Sequence, residues 1–467
     1  MESLIKPVII EPVSQQKRFH FSFAVITGLF FIWGFITALN DILLPYLKKL
    51  FVLSYLQATL IQFAFFGAYF TGSLIYFITS IRYGDLIEKI GYKNCIITGL
   101  LIAAFGCCLF YPAASLKIFG VFLTGLFCLG LGFTLLQIAA NPYVIILGSE
   151  KGASGRLNLA QGINSLGTTI APLMGAYFLF SHYSSHTVAP GVFIIQHMYL
   201  VFALIFIGIA AIIKTISLPD FKSNAPMIKG AGALQYPHLI MGIIAIFTYV
   251  GGEVSIGSFM ISFSKLPQIT GLHESEGSKY VAMYWGGLMI GRFIGAISLD
   301  AKMRAYNKYV LMTCIPLISY IIIAQLTNQS TALYAGAFLI LNLFAFFIGR
   351  FLPARSLGVF SVVLTGLILI AVFSSGTIAL WALVGAGLFN SILWSNIFTL
   401  SLTGLGKYTS QGSSLLIMSI LGAALIPVIQ GAVADVAGLQ RSFFIPVFCY
   451  LYLAFYGFRG YKLKRNS

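Results

Sequence analysis

The chain has 467 residues, of which 59% are hydrophobic and 9% charged, and 28 Lys+Arg stand against 12 Asp+Glu for a formal net charge of +16. A soluble domain needs roughly 25% charged residues to face water, so a soluble enzyme, a nucleic-acid binder and a disordered chain are excluded. An all-α polytopic membrane protein fits, because long unbroken apolar runs replace the alternation that a β-barrel requires.

In chain order, the first 20 residues are polar, with no signal-peptide cleavage pattern expected. Apolar runs then predict spans at about 21–45, 55–80, 95–112, 117–147, 158–181, 193–218 and 236–264. Seven more follow at about 278–299, 309–326, 331–349, 357–374, 377–403, 411–435 and 441–459, fourteen in all. The longest polar break runs from Pro219 to Tyr236, after the sixth span. It divides the chain into an N-terminal bundle (1–218), a linker (219–235) and a C-terminal bundle (236–467), as in carriers built from two repeated halves.

Lys and Arg collect in cytoplasmic loops. With the N-terminus inside, 21 bases fall inside, 6 fall outside and Arg292 lies within a span. Both tails are therefore expected in the cytoplasm of a multi-pass inner-membrane protein. The linker is cytoplasmic on the same count.

Charge in hydrocarbon is expensive and functional by default. Asp41 lies late in span 1 and Glu253 in the middle of span 7, the first span of each half. A carboxyl in an apolar cavity takes and releases protons near neutral pH, so both are candidates for proton coupling. The plainer reading is a buried acid locked to an Arg or a backbone group. Asp435 reads as a helix-end residue.

Amides form a second set: Asn40 and Gln62, Gln137 and Asn141, Asn158, Gln161 and Asn164, and Asn390 and Asn396. Amides both donate and accept, which suits a neutral polyhydroxylated solute, and Gln161 and Asn164 share a helix face. Trp33, Tyr284, Trp285, Trp381 and Trp394 are of a type that stacks on a sugar ring. The plainer readings are interhelical hydrogen bonding for the amides and interface anchoring for the aromatics. Glycine-rich stretches at Gly125–Gly132 and Gly286–Gly295 lack the Lys-Ser/Thr of a phosphate loop and point to close helix packing. The six cysteines and six histidines show no metal-ligand spacing, so no metal and no cofactor are expected.

The loop after span 2 reads Gly84-Asp85-Leu86-Ile87-Glu88-Lys89-Ile90-Gly91-Tyr92-Lys93. It resembles the signature of the major facilitator superfamily. Asn40–Pro45, Ala139–Tyr143, Arg156–Gln161, Gly291-Arg292-Phe293 and Thr409–Ser414 resemble the fucose–galactose–glucose:proton symporter family within it, over nearly the whole chain. The resemblance implies a major facilitator fold of two six-helix bundles. It also implies proton-driven sugar uptake by alternating access, with Gly84, Glu88, Lys89, Gly91, Lys93, Arg156 and Arg292 in gating roles. Asp41 matches the family's proton-coupling acid. Gln137 stands where the fucose branch has a second functional Glu, and Gly251–Ser258 resembles the glucose/galactose permease branch. Glu253 then becomes a replacement for the lost carboxyl.

The family pattern has twelve spans, which makes the two within about 301–355 an inserted hairpin, expected outside the twelve-helix core. The expected partners are a small sugar, the proton and the lipid bilayer, with the protein a monomer. Sodium-coupled or uncoupled sugar transport, and fucose or an amino sugar as substrate, are the alternatives. From another class, a membrane-embedded sugar transferase would need acidic water-facing loops that this chain lacks.

Overall fold

The computed structural model describes residues 21–38, 55–181, 190–216, 218–219 and 229–463, apart from the side chains of 55–60, 62, 172–181, 190–195 and 274–275. Among the described residues there is no strand. The helices are α1 (Phe21–Ala38), α2 (Tyr55–Tyr83), α3 (Leu86–Leu116), α4 (Phe119–Ile146), α5 (Ala153–Ser181) and α6 (Pro190–Thr215). They continue with α7 (Pro237–Ser264), α8 (Glu274–Ser298), α9 (Ala305–Leu326), α10 (Gln329–Ile348) and α11 (Pro353–Phe373). The last three rods are segmented: α12 (Gly376–Asn390) with α13 (Leu393–Leu402), α14 (Thr409–Met418) with α15 (Gly422–Ala437), and α16 (Leu439–Ser442) with α17 (Phe444–Phe455). Thirteen of the rods are long and apolar enough over their described residues to cross a membrane. The 29-residue α5 is the fourteenth.

Several helices begin before the apolar runs do. α3 starts at Leu86, not near residue 95, because Asp85 caps it by accepting from the Ile87 amide. Its first turns carry Glu88, Lys89 and Lys93 beyond the apolar core of the span. Gly91 interrupts the helix with φ 82°, a backbone open to glycine and costly for other residues. Further along, α3 and α4 touch backbone to backbone. A Cβ on Gly132 would lie 2.6 Å from the Ala103 amide nitrogen, so the glycine run at 125–132 does serve close packing.

The packing pattern repeats along the chain. α3 lies against α4 and α6, and α11 lies in the same way against α12 and α17. Contacts between the two parts run through α5 with α8 and α13, and through α14 with α2 and α4. α9 packs on α8 and α10, and α10 reaches α11 and α12. Only 11% of the most apolar stretch of α9 is buried, against 83% for the Gly376–Leu402 rod. α9 thus faces outward and α12–α13 lies at the centre.

Candidate functional site

Among the described residues, a polar cluster in the middle of the spans forms around Glu253 of α7. Tyr249, one turn earlier on the same face, donates its hydroxyl to Glu253 Oε1 at 2.7 Å. Arg292 of α8 brings Nη2 to 3.9 Å from the same oxygen. Tyr284 of α8 donates to the Glu253 backbone carbonyl at 3.1 Å. Asn390, at the end of α12, donates to the Tyr284 hydroxyl at 2.9 Å and accepts from Tyr450 of α17 at 2.7 Å. Glu253 and Asn390 are both buried. Side chains of four helices therefore form one network around Glu253, with Tyr249 of α7 and Arg292 of α8 touching its carboxylate.

Arg292 has further partners. Its Nε donates to the Ser391 carbonyl at 3.3 Å, and Nη1 donates to Ser165 Oγ on α5. Nη1 also lies 3.5 Å from the Gln161 carbonyl. One guanidinium thus ties the acid of α7, the break in the α12–α13 rod and helix α5. Resemblance assigned Arg292 to gating. In the structure it lies beside Glu253 and also reaches Ser165 and Gln161 of α5. Tyr249, Tyr450 and Ser165 went unnoticed in the sequence, because a hydroxyl on a helical residue interrupts no apolar run.

The remaining sequence candidates fall in three places. Asp41 and Asn40 lie outside the described residues, as does the side chain of Gln62. In the N-terminal part, Gln137 and Asn141 are buried on α4, and Asn141 Nδ2 donates to the Gln137 carbonyl at 3.0 Å. The Tyr69 hydroxyl lies within hydrogen-bond reach of Gln137 and Trp33. Asn141 Oδ1 is buried with no protein donor. Asn164 Nδ2 donates to the Phe30 carbonyl at 2.8 Å, tying α5 to α1. Of the aromatics, Trp285 is 40% exposed and meets Tyr284 edge-on at 5.2 Å. Trp381 stacks on Tyr334, Trp394 stacks on Phe398 and Trp33 packs by Phe30 and Phe133. These three sit within packed aromatic clusters.

The third place is one end of the bundle, where the two parts meet. Gln411 of α14 donates to Ser80 Oγ at 3.0 Å and to the Gly230 carbonyl at 3.1 Å, and accepts from the Ala233 amide at 2.8 Å. Ser154 and Thr399 share a 2.6 Å hydrogen bond, and Asn158 lies 3.4 Å from Asn396 Oδ1. Asn396 thus stands at this end, apart from Asn390. Glu88 shares a cleft with Asp85, Ser80, Lys407, Tyr408 and Gln411.

Asp85, which the sequence singled out only as part of a motif, is the buried acid here. Tyr76 donates to its Oδ1 at 2.6 Å and the Ile87 amide at 2.8 Å. Burial raises its pKa against the opposing pull of these donors. Lys93 donates to the carbonyls of Lys214 and Ile216 at the end of α6. Arg156 donates to the carbonyls of Val144 and Ile145 at the end of α4. Both cations cap helix C-termini, where the macrodipole favours positive charge. Lys89 is exposed on α3, and Gly84 turns the chain into it with φ 88°.

No group of three or more His, Cys, Asp or Glu capable of holding a metal occurs among the described residues.

Residues 21–353 match the Major Facilitator Superfamily. The chain is 41% identical over 456 residues to a glucose/galactose transporter of Brucella abortus, covering 96% of each. It is 30% identical over 460 residues to the L-fucose-proton symporter of Escherichia coli K12, covering 93% of this chain and 92% of that one. A crystal structure of the E. coli fucose:proton symporter superposes with a TM-score of 0.76 at 28% identity, covering 95% of this chain and 99% of that one. A crystal structure of a major facilitator transporter in the outward conformation aligns equally well. The fold, the motifs and these relatives agree that the chain belongs to the major facilitator superfamily.

Proposed function

We propose that the chain is a secondary active transporter that carries a hexose of the glucose/galactose type into the cell with protons. It works as two bundles, 1–218 and 236–467, joined by a cytoplasmic linker and rocking about a mid-membrane site. The basic bias puts the Gln411 end on the cytoplasmic side, so the closed end corresponds to a carrier shut toward the cytoplasm.

The observation that carries this reading is the Glu253–Arg292 pair at 3.9 Å. At an effective dielectric constant near 20, two charges at that distance attract by about 4 kcal/mol. A proton on Glu253 removes that attraction and frees Arg292 to favour Ser165 and Gln161 of α5, across the interface between the halves. Protonation then shifts the balance between two arrangements of the bundles, which is what coupling requires. Asp41 is the other proposed proton carrier. Gln137, Asn141, Gln161, Asn164, Asn390, Tyr284 and Trp285 are the proposed sugar contacts, together with Asn40 and Gln62, while Asn396 stands apart at the Gln411 end. Asn141 Oδ1 is buried without a protein donor and is an acceptor that a sugar hydroxyl would satisfy.

Counterflow in proteoliposomes with glucose, galactose, mannose, fucose and N-acetylglucosamine tests the substrate. Exchange of glucose or galactose is expected, and exchange of none of the five would overturn the reading. A sodium-free pH gradient, inside alkaline, should drive accumulation. A strict need for sodium would refute proton coupling.

A further inference from the structure

The hairpin α9–α10 has no part in the site described above. Its inner helix nevertheless lies along the central rod, in contact with it over two turns. Tyr334 stacks on Trp381 with centroids 5.2 Å apart. Phe338 covers Gly385 so closely that a Cβ there would meet the ring at 2.3 Å. Asn342 is fully buried and donates Nδ2 to the Leu388 carbonyl at 3.1 Å. Phe346 meets Phe360, which meets Phe389 in turn.

The place where Asn342 lands is the break in the rod. α12 ends at Asn390 and α13 starts at Leu393. In an unbroken helix the Leu388 carbonyl would accept from the amide four residues on. Here it accepts from Asn342 and, at 2.6 Å, from Ser391 Oγ. Two carbonyls further on face the site: Asn390 O lies 3.2 Å from the Tyr249 hydroxyl, which shares its proton with Glu253, and Ser391 O accepts from Arg292. Three side chains from neighbouring helices thus hold one interruption, and one of them comes from the hairpin.

We propose that α10 braces the α12–α13 break, and that Asn342 is a positioning residue that sets how readily this break moves as the carrier turns over. This rests on the transporter reading for its consequence, but its physical content is local order at residues 388–396. A helix interrupted within the membrane is tolerated where neighbouring side chains satisfy the freed backbone groups. Removing one of those side chains loosens the interruption. Asn342 itself touches none of the proposed substrate contacts, but the break it braces carries Asn390, so both rate and substrate affinity should respond when it is loosened.

The test compares Asn342→Leu with the wild-type chain in proteoliposomes, with Asn342→Ser retaining a donor in a shorter side chain. Amide hydrogen exchange across 388–396 should speed by about tenfold in Asn342→Leu, as the buried Leu388 carbonyl loses one of its two donors, and by less in Asn342→Ser. Exchange in α3 and α4 should stay as in the wild type. For transport, the maximal uptake rate should change at least about fivefold, and any shift in KM should follow the loosening at Asn390, smaller in Asn342→Ser than in Asn342→Leu. If Asn342→Leu fails to insert, Asn342→Ser alone should show the local acceleration. Unchanged exchange at 388–396, or acceleration spread evenly over the chain, would overturn the brace. If the wild-type chain exchanges no hexose, the substrate reading fails while the hydrogen-exchange comparison still decides this proposal.

Discussion

Two buried acids, Glu253 and Asp85, have nearly the same neighbour in a tyrosine hydroxyl at 2.7 and 2.6 Å. Their other partners differ. Glu253 faces the guanidinium of Arg292, which reaches a second helix bundle. Asp85 faces backbone, capping α3 through the Ile87 amide. A cation on a long side chain can leave when the acid is protonated, whereas a helix N-terminus cannot. Under the proposed mechanism, the same chemical group therefore serves as a coupling element in one setting and as a fixed strut in the other.

The largest effect should come from breaking the first setting. Arg292→Leu leaves Glu253 buried without its cation, at a cost of about 3–5 kcal/mol unless the carboxyl takes up a proton. Transport should fall by roughly a hundredfold or more, and Glu253→Gln/Arg292→Gln should recover thermal stability without recovering accumulation. Retention of pH-driven uptake in Arg292→Leu would show that the pair is not coupled to transport.

A smaller effect is expected at the strut. Asp85→Ala removes a helix cap, a loss of about 1 kcal/mol measurable by thermal unfolding. Its pH dependence sharpens the contrast. Because burial raises the Asp85 pKa in the closed protein, that state binds the proton more tightly than one in which the carboxyl meets water. Closure at the Gln411 end is then strengthened as pH falls through the raised value toward the ordinary aspartate range, and weakened as pH rises. Asp85→Asn should abolish this dependence in a cysteine-accessibility assay of that end. A profile unchanged by the substitution would assign the titration to another group.

The smallest effect belongs to Tyr450→Phe. It deletes one interhelical hydrogen bond to Asn390, worth about 0.6 kcal/mol in a membrane protein. Uptake should fall by no more than a few fold. A loss as deep as that of Arg292→Leu would mean that Tyr450 itself handles the proton or the sugar.

The spans were legible in the sequence because a run of about 20 apolar residues matches the thickness of the hydrocarbon core and is rare in water-soluble chains. Glu253 and Arg292 were legible for the converse reason, as charges within such runs. Their pairing was not, since they lie on different helices and only the packing of α7 on α8 joins them. The break at Ser391–Ile392 left no mark either: residues 377–403 read as one span, without a proline or glycine at the interruption. Its carbonyls are met by side chains from other helices, Asn342, Tyr249 and Arg292, and by Ser391 Oγ of the rod itself. Asp85 was hidden by its motif, whose resemblance drew notice to Glu88 and the bases around it. The roles of Lys93 and Arg156 as helix caps depend on which helix ends reach them, which spacing along the chain does not encode.

The decisive comparison sets Glu253→Gln beside Asp85→Asn in proteoliposomes loaded for both counterflow and pH-driven uptake of glucose or galactose. If the Glu253 carboxylate couples proton to sugar, Glu253→Gln should exchange sugar across the membrane yet fail to accumulate it, while Asp85→Asn does both. Accumulation by Glu253→Gln at the wild-type level would contradict that role.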